Sequence, residues 1–365
     1  MKKKLVAMMC VTALIATTFV GCGSTESATE PAKEETTEVV EETAEEAVEE
    51  TAEVEVAEGA LLTGIGTSVA IDSSKDASAE GDGTAQCDAT IAAVTVDANG
   101  AVVECVIDIA QTKIGVSADG KITSDLNAEY ASKRELGDDY GMKKASAIGK
   151  EWYEQADAFA AWVVGKTADE ISGMAISEGY AGDEDLKASV SVHVTGFQAA
   201  VLEAMNNAVA GGANAGDKLG LGLSTKISNS KDASEEGDGV AEAYTTISVL
   251  TVNADGVITS NIIDAVQAKI TFDANGVITA DKSVDVKSKN ELGDEYGMRK
   301  ASAIGKEWNE QAAAYAAYTV GKTVDEVQGT AVEEGRAADA DLAASVSVHI
   351  TDFNAVIAKA VANAK

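Results

Sequence analysis

The chain has 365 residues, 61 of them acidic and 28 basic, and its formal charge at pH 7 is −33. That balance excludes nucleic acid as a partner, because such binding rests on Lys and Arg neutralising phosphates; the surplus of carboxylates instead keeps an exposed protein soluble. Two histidines 156 positions apart, one in each half and without ligand spacing, argue against a zinc site as well.

The N-terminal "MKKK" is a basic stretch, and the apolar run after it, Leu5–Val20, is too short and wrongly flanked for a stable membrane span. The run closes on "FVGCGS", which resembles the lipobox of bacterial lipoproteins, with Phe19 at the usual leucine position. The resemblance implies a signal peptide over 1–21 and a lipid, palmitate included, on Cys22. The protein would then be anchored to the cell membrane on its extracytoplasmic side. An ordinary cleaved secretory signal is the alternative. Residues 22–58 read as a disordered acidic tether. From Ser24 to Glu58 there are fourteen glutamates, one lysine, the single proline and no aromatic residue, too little apolar surface to offset ordering.

A gap-free repeat follows. "SKDASAEGDG" at Ser74 returns as "SKDASEEGDG" at Ser230, and the 22-residue stretches starting at Glu135 and Glu291 agree at 19 positions. A period of 156 residues is a duplicated module rather than a solenoid unit. The copies span 59–212 and 217–365, joined by "GGANAG" (Gly211–Gly216), a short flexible joint, and each is expected to fold by itself.

Within the first copy, the alternating Val- and Ile-rich segment from Thr90 to Ile122 has turns at Asp97–Gly100 and Asp119–Gly120, and so predicts an antiparallel meander. The "DANG" turn lacks the acidic ladder of a calcium loop. A simple turn there sets Cys105 opposite Ala92, so a Cys87–Cys105 disulfide needs a bulge or a shifted register. Met142, Ala145, Ile148, Trp152, Phe159 and Trp162 recur at helical spacing and predict one long amphipathic helix. "TADE" at Thr167 is a capping box opening a short helix. The fold class is α+β: two tandem copies of a small antiparallel sheet with helices, after the tether.

The segment "SVSVHVTGF" (Ser189–Phe197) returns as "SVSVHITDF" (Ser345–Phe353) and holds both histidines, His193 and His349. Its alternation predicts a short strand with valines inward and Ser189, Ser191, His193 and Thr195 outward. Thr195 and Thr351 suit helix N-caps, so a polar row ends at a helix N-terminus, where an anion such as phosphate is favoured beside a hydroxyl. A hydrolase using Ser191 and His193 is a third reading, disfavoured because neighbours on one strand face lie ~6.5–7 Å apart, beyond the hydrogen bond that a nucleophile and base need.

These residues resemble a known family, the lipid-anchored FMN-binding proteins of Gram-positive bacteria. Their motif D-x-x-[ST]-G-[AV]-[ST] is followed in one branch by I-H-V and a Phe two residues on. Here Asp185–Ser191 reads "DLKASVS" before "VHVTGF", and Asp341–Ser347 reads "DLAASVS" before "VHITDF". The Y-G-M segments, with Tyr140 and Met142 and with Tyr296 and Met298, are similar to the family's as well. The resemblance implies FMN as a phosphoester on Ser191 and Ser347, with Asp185 and Asp341 as the motif acids; His193 and His349, on the same strand face next to a helix N-terminus, are expected to hold the flavin phosphate. It also implies a flavin transferase and a membrane redox donor as partners. The motif's hydroxyl is replaced by Ala188 and Ala344, and its glycine by Ser189 and Ser345. Covalent FMN, non-covalent FMN and a flavin-free descendant therefore all stay open. The function expected is a surface flavoprotein that carries electrons outside the membrane, more a carrier than a catalyst with its own substrate. The alternative is a flavin-free binding or scaffold lipoprotein of the same fold.

Overall fold

The Val- and Ile-rich segments form three long strands, β1 (Ala60–Ala70), β2 (Gly83–Val96) and β3 (Val102–Val116). The computed structural model describes residues 59–365; the expected signal peptide, Cys22 and the expected tether lie outside the described residues. Next come α1 (Lys133–Leu136), α2 (Trp152–Val163), α3 (Ala168–Ser172), the hairpin of β4 (Ile176–Ser177) and β5 (Tyr180–Ala181), α4 (Glu184–Lys187) and α5 (Thr195–Asn206). β6 (Val209–Asn214) leads into β7 (Lys218–Lys226), β8 (Gly239–Val252) and β9 (Ile258–Phe272). The chain closes with α6 (Lys289–Leu292), α7 (Trp308–Thr319), α8 (Val324–Gln328), β10 (Val332–Glu333), β11 (Arg336–Ala337), α9 (Ala340–Ala343) and α10 (Thr351–Asn363). The architecture is mixed α+β with antiparallel sheets, and no helix among the described residues is long and apolar enough to cross a membrane.

The strands make two main sheets, ordered β3-β2-β1-β6 and β7-β8-β9. Alternation decides what each face meets. Ile65, Ile91 and Ile114 of the first sheet join Leu221, Ile247 and Ile270 of the second in one hydrophobic cluster. On the opposite faces, Gly64 and Gly66 receive α5, and Gly220 and Gly222 receive α10. A Cβ at Gly64 would lie 1.9 Å from the Ala204 carbonyl oxygen, and one at Gly222 would lie 2.1 Å from that of Val356. The G-x-G spacing in β1 and β7 thus lets a helix backbone lie directly on a strand. The layers run helix, sheet, sheet, helix.

The shared cluster argues against the independent folding expected of each copy. A reciprocal clasp adds to it. Asp76 accepts the N–H of Ile278 and Asp232 accepts that of Ile122, both at 2.9 Å. Ala77 donates its N–H to the Gly276 carbonyl and Ala233 donates to that of Gly120, again at 2.9 Å. The repeated "SKDAS" segments therefore hold the β-turns of the opposite half.

Three further expectations change. The "GGANAG" joint is no flexible linker: it supplies most of β6, which pairs antiparallel with β1 through Ala60–Asn214 and Leu62–Ala210. The hairpin carries a bulge at Thr95/Val96, which sets Cys105 opposite Val94 instead of Ala92, and both Cys87 and Cys105 are free thiols. The long helix begins at Trp152, not Met142, because Gly149 takes a left-handed φ of 64° and Glu151 caps the start. Met142–Lys144 is a separate 3-10 turn. The capping box of Thr167 with Glu170 stands as expected.

Candidate functional site

The site starts from a buried polar side chain on an otherwise apolar helix face. Trp152, Gln155, Ala156, Phe159, Ala160 and Val163 form the buried stripe of α2. A buried amide needs partners, and Gln155 finds them in the segment before α5. Its Oε1 accepts the N–H of Ser191 at 2.7 Å and the Ser191 hydroxyl at 3.1 Å. Its Nε2 donates to the Ser146 hydroxyl and to the Lys150 carbonyl, each at 3.2 Å. The second copy repeats this. Gln311 accepts the N–H and hydroxyl of Ser347 at 2.8 and 3.0 Å and donates to Ser302 at 3.2 Å.

This arrangement replaces the predicted strand. The Ser191 N–H goes to a side chain and the Val194 N–H goes to the Gly179 carbonyl at 2.7 Å, so Ser189–Val194 has no strand partner and takes an irregular path. Val190 and Val194 are buried as expected, and Ser191 is half-buried. Thr195 is the first helical residue, not the cap. Val194 is the N-cap, without a side-chain hydrogen bond, and Ile350 likewise precedes Thr351. The helix ends also differ, since Asp352 stands in the first turn of α10 and pairs with Lys226, whereas α5 has Gly196 there. The N-terminus of α10 thus already has a carboxylate, which weighs against a second anion there.

His193 and His349 are exposed and lie over glycines of the β4–β5 and β10–β11 hairpins. A Cβ at Gly179 would sit 3.2 Å from the Cγ of His193, and one at Gly335 would sit 3.3 Å from that of His349. Both glycines have φ above 80°, beside Glu178 and Glu334, which also hold positive φ. Tyr180 meets the His193 ring edge-on at 4.4 Å. In the second copy Arg336 takes the tyrosine's place, and its Nε donates to the Ser347 carbonyl at 2.9 Å.

Tyr140 and Met142 flank Gly141, whose φ of 72° places it in the left-handed region. Their loop is tied down by buried Glu151, which accepts the N–H groups of Met142 and Lys143 at 2.9 and 3.0 Å. Glu307 does the same for Met298 and Arg299. Tyr140, Met142 and Val192 pack against one hydrophobic cluster, and so do Tyr296, Met298 and Val348. The structure therefore gathers the Y-G-M loop and the serine around each core. The motif acids are not gathered with them: Asp185 and Asp341 are exposed on α4 and α9, where Asp183 and Asp339 act as N-caps. Ser189 and Ser345 take no left-handed φ, so serine costs the backbone nothing where the motif has glycine.

Sequence reading missed Gln155, Gln311, Ser146 and Ser302. The available signal was a glutamine inside an apolar stripe at helical spacing. It also missed the charged groups behind the Y-G-M loop. Buried Lys289 lies over the rings of Tyr244, Tyr296 and Trp308 at 4.5, 4.4 and 4.8 Å. Burial pushes its ammonium down to about 7, while Glu242 and Asp264 act the other way. Burial likewise pushes Asp108 and Asp264 up to about 6, against hydrogen bonds from Ser132 and Ser288.

Chemically, each serine hydroxyl donates a hydrogen bond to an amide oxygen, which is no base, and neither histidine is hydrogen-bonded to it. The site holds a half-buried hydroxyl with no general base bonded to it among the described residues.

No family model matches the chain, and no solved structure matches it. A chlorophenol reductase of Desulfitobacterium hafniense is 38% identical over 58 residues, which is 15% of this chain and 18% of that protein. The chain thus covers under a fifth of that relative's length.

Proposed function

We propose that the protein is a flavin-bearing electron carrier of the cell surface, with FMN held as a phosphoester on Ser191 and Ser347. The carrying observation is the same half-buried serine hydroxyl, donated to a buried glutamine, in both copies. A hydroxyl fixed by Gln155 or Gln311, with no base beside it, suits modification by a separate transferase that supplies the activation. The exposed His193, with Tyr180 edge-on, and the exposed Arg336 offer donors and a ring face next to the attachment point. Bound flavin would supply the electron transfer; the protein's part is to fix position and local charge. The partial likeness to a protein named a reductase supports a redox setting. The lipid on Cys22 and the two-module organisation belong to the same proposal.

The test is the visible spectrum and intact mass of protein made in its native host, with Ser191→Ala expected to halve the bound flavin and the double variant to abolish it. Flavin that leaves on denaturation would replace the covalent form by non-covalent FMN, and host-made protein without flavin would leave a scaffold lipoprotein.

A further inference from the structure

Between the two halves lies a cavity of about 830 Å³, walled by Ile65, Ala313, Ala316 and Val320 and carrying Glu203, Asp264 and Glu291. Its volume falls in the range of small-molecule sites. Among the described residues, none of either serine site lines it, and neither does any Lys, Arg or His.

The opposite half carries the matching surface as a smaller cavity of about 550 Å³, whose lining includes Cys105, Arg134, Asp157 and Val164. At the matching positions 156 residues away, Arg134 pairs with Asp157 at 2.8 Å, and Lys359 pairs with Glu135 at 2.7 Å. On the cavity side those two pairs become Asn290 with Ala313, and Glu203 with Glu291. The first exchange removes two large side chains and opens space. The second turns an attraction into a repulsion. Thr67 spans the two glutamates, its N–H on Glu203 at 2.8 Å and its hydroxyl on Glu291 at 3.1 Å, the Ser288 N–H also donates to Glu291 at 2.6 Å, and neither glutamate forms a salt bridge among the described residues. Burial, with Glu291, Asp264 and Asp285 adding to it, pushes Glu203 up to about 7. The buried Oδ1 of Asn309, also on the lining, has no hydrogen-bond partner among the described residues. The cavity thus offers two carboxylates without a cation partner among the described residues, and one unpaired amide oxygen, beside an apolar wall.

We propose that this cavity binds a small organic cation, an ammonium group on an apolar body, with Glu203 and Glu291 receiving the charge and Asn309 a further N–H. A metal ion fits poorly, since no cluster of three or more ligating side chains exists among the described residues. An anion would meet three carboxylates.

The experiment is calorimetric titration of the full chain with 4-phenylbutylamine, and with 4-phenylbutanol and 4-phenylbutyrate as neutral and anionic isosteres. The amine should bind at least about tenfold tighter than the alcohol, the carboxylate should not bind, and Glu203→Gln should weaken the amine about tenfold. The pair Asn290→Arg with Ala313→Asp, copying the ion pair of the other half, should narrow the cavity and add a competing cation, weakening the amine about tenfold while circular dichroism stays unchanged; should that pair unfold the chain, Glu203→Gln alone decides. Equal affinity for amine and alcohol, no amine binding at millimolar concentration, or an unaltered Glu203→Gln titration would overturn the proposal.

Discussion

The carboxylate of Asp76 accepts the main-chain N–H of Ile278 at 2.9 Å, across 202 residues, and Asp232 returns the same bond to Ile122. Together with the cluster that Ile91 and Ile247 share, this makes each half part of the other's support. Residues 59–212 and 217–365 expressed separately should therefore melt without cooperativity, whereas the full chain melts in one transition. Asp76→Ala should cost roughly 1–3 kcal/mol by leaving a main-chain donor unpaired. Sharp melting of either half alone would restore the picture of independent modules.

Close contact of helix and strand gives a steric expectation. Gly64→Ala would push a methyl to within 1.9 Å of the Ala204 carbonyl oxygen, and Gly222→Ala to within 2.1 Å of that of Val356. Neither obstacle is a flexible side chain, so each substitution should destabilise by roughly 1–3 kcal/mol or more. Gly100→Ala, at φ 77° with open space around it, is the control and should cost only about 1 kcal/mol. Chemical denaturation of the three variants ranks them.

The buried ionisable groups set a pH profile. Asp108 and Asp264 rise from an ordinary 3.8 to about 6 on folding, and Glu203 rises from 4.5 to about 7. Each folded carboxyl holds its proton to higher pH than the unfolded chain does, so stability falls as pH rises from about 4 to 7. Lys289 runs the other way: its folded value of about 7 lies below 10.5, the unfolded chain binds more protons between them, and stability recovers as pH rises through that interval. Urea midpoints should therefore pass through a minimum near pH 7. Asp108→Asn should flatten the acid limb, each such aspartate being worth about 3 kcal/mol at most. Midpoints rising steadily from pH 4 to 7 would contradict these assignments.

Gln155 orders the serine it holds. Gln155→Leu should unpair the Ser191 N–H, cost roughly 1–3 kcal/mol and lower flavin loading in the first copy only. Gln155→Glu keeps an acceptor for the N–H and the hydroxyl and should restore most of the loading. Peptide mapping of host-made protein reads the two serines separately. Equal loading at Ser191 in wild type and Gln155→Leu would show that the glutamine is structural alone.

Much of the fold was legible, and the failures share a cause. The meander, the turn at Asp97–Gly100 and the Thr167 cap were encoded in residues near in sequence. The path of Ser189–Val194 was not, because its valines alternate as in a strand while its backbone hydrogen bonds go to Gln155 and Gly179, chosen by tertiary packing. The same holds for Gly211 and Gly212, which read as a joint but lie against Ser260 and Thr259 within a paired strand. His193 and His349 were legible as a repeated pair. Their packing on Gly179 and Gly335 was not, since it depends on a hairpin that brings distant residues together.

The central claim is that Ser191 and Ser347 carry flavin. Intact mass and visible absorbance of host-made protein, recorded before and after denaturation, test it most directly. We expect a yellow protein whose colour survives denaturation and whose mass exceeds that of the lipidated mature polypeptide by two FMN groups, one on each serine. A colourless protein at the mass of the lipidated polypeptide alone would contradict this.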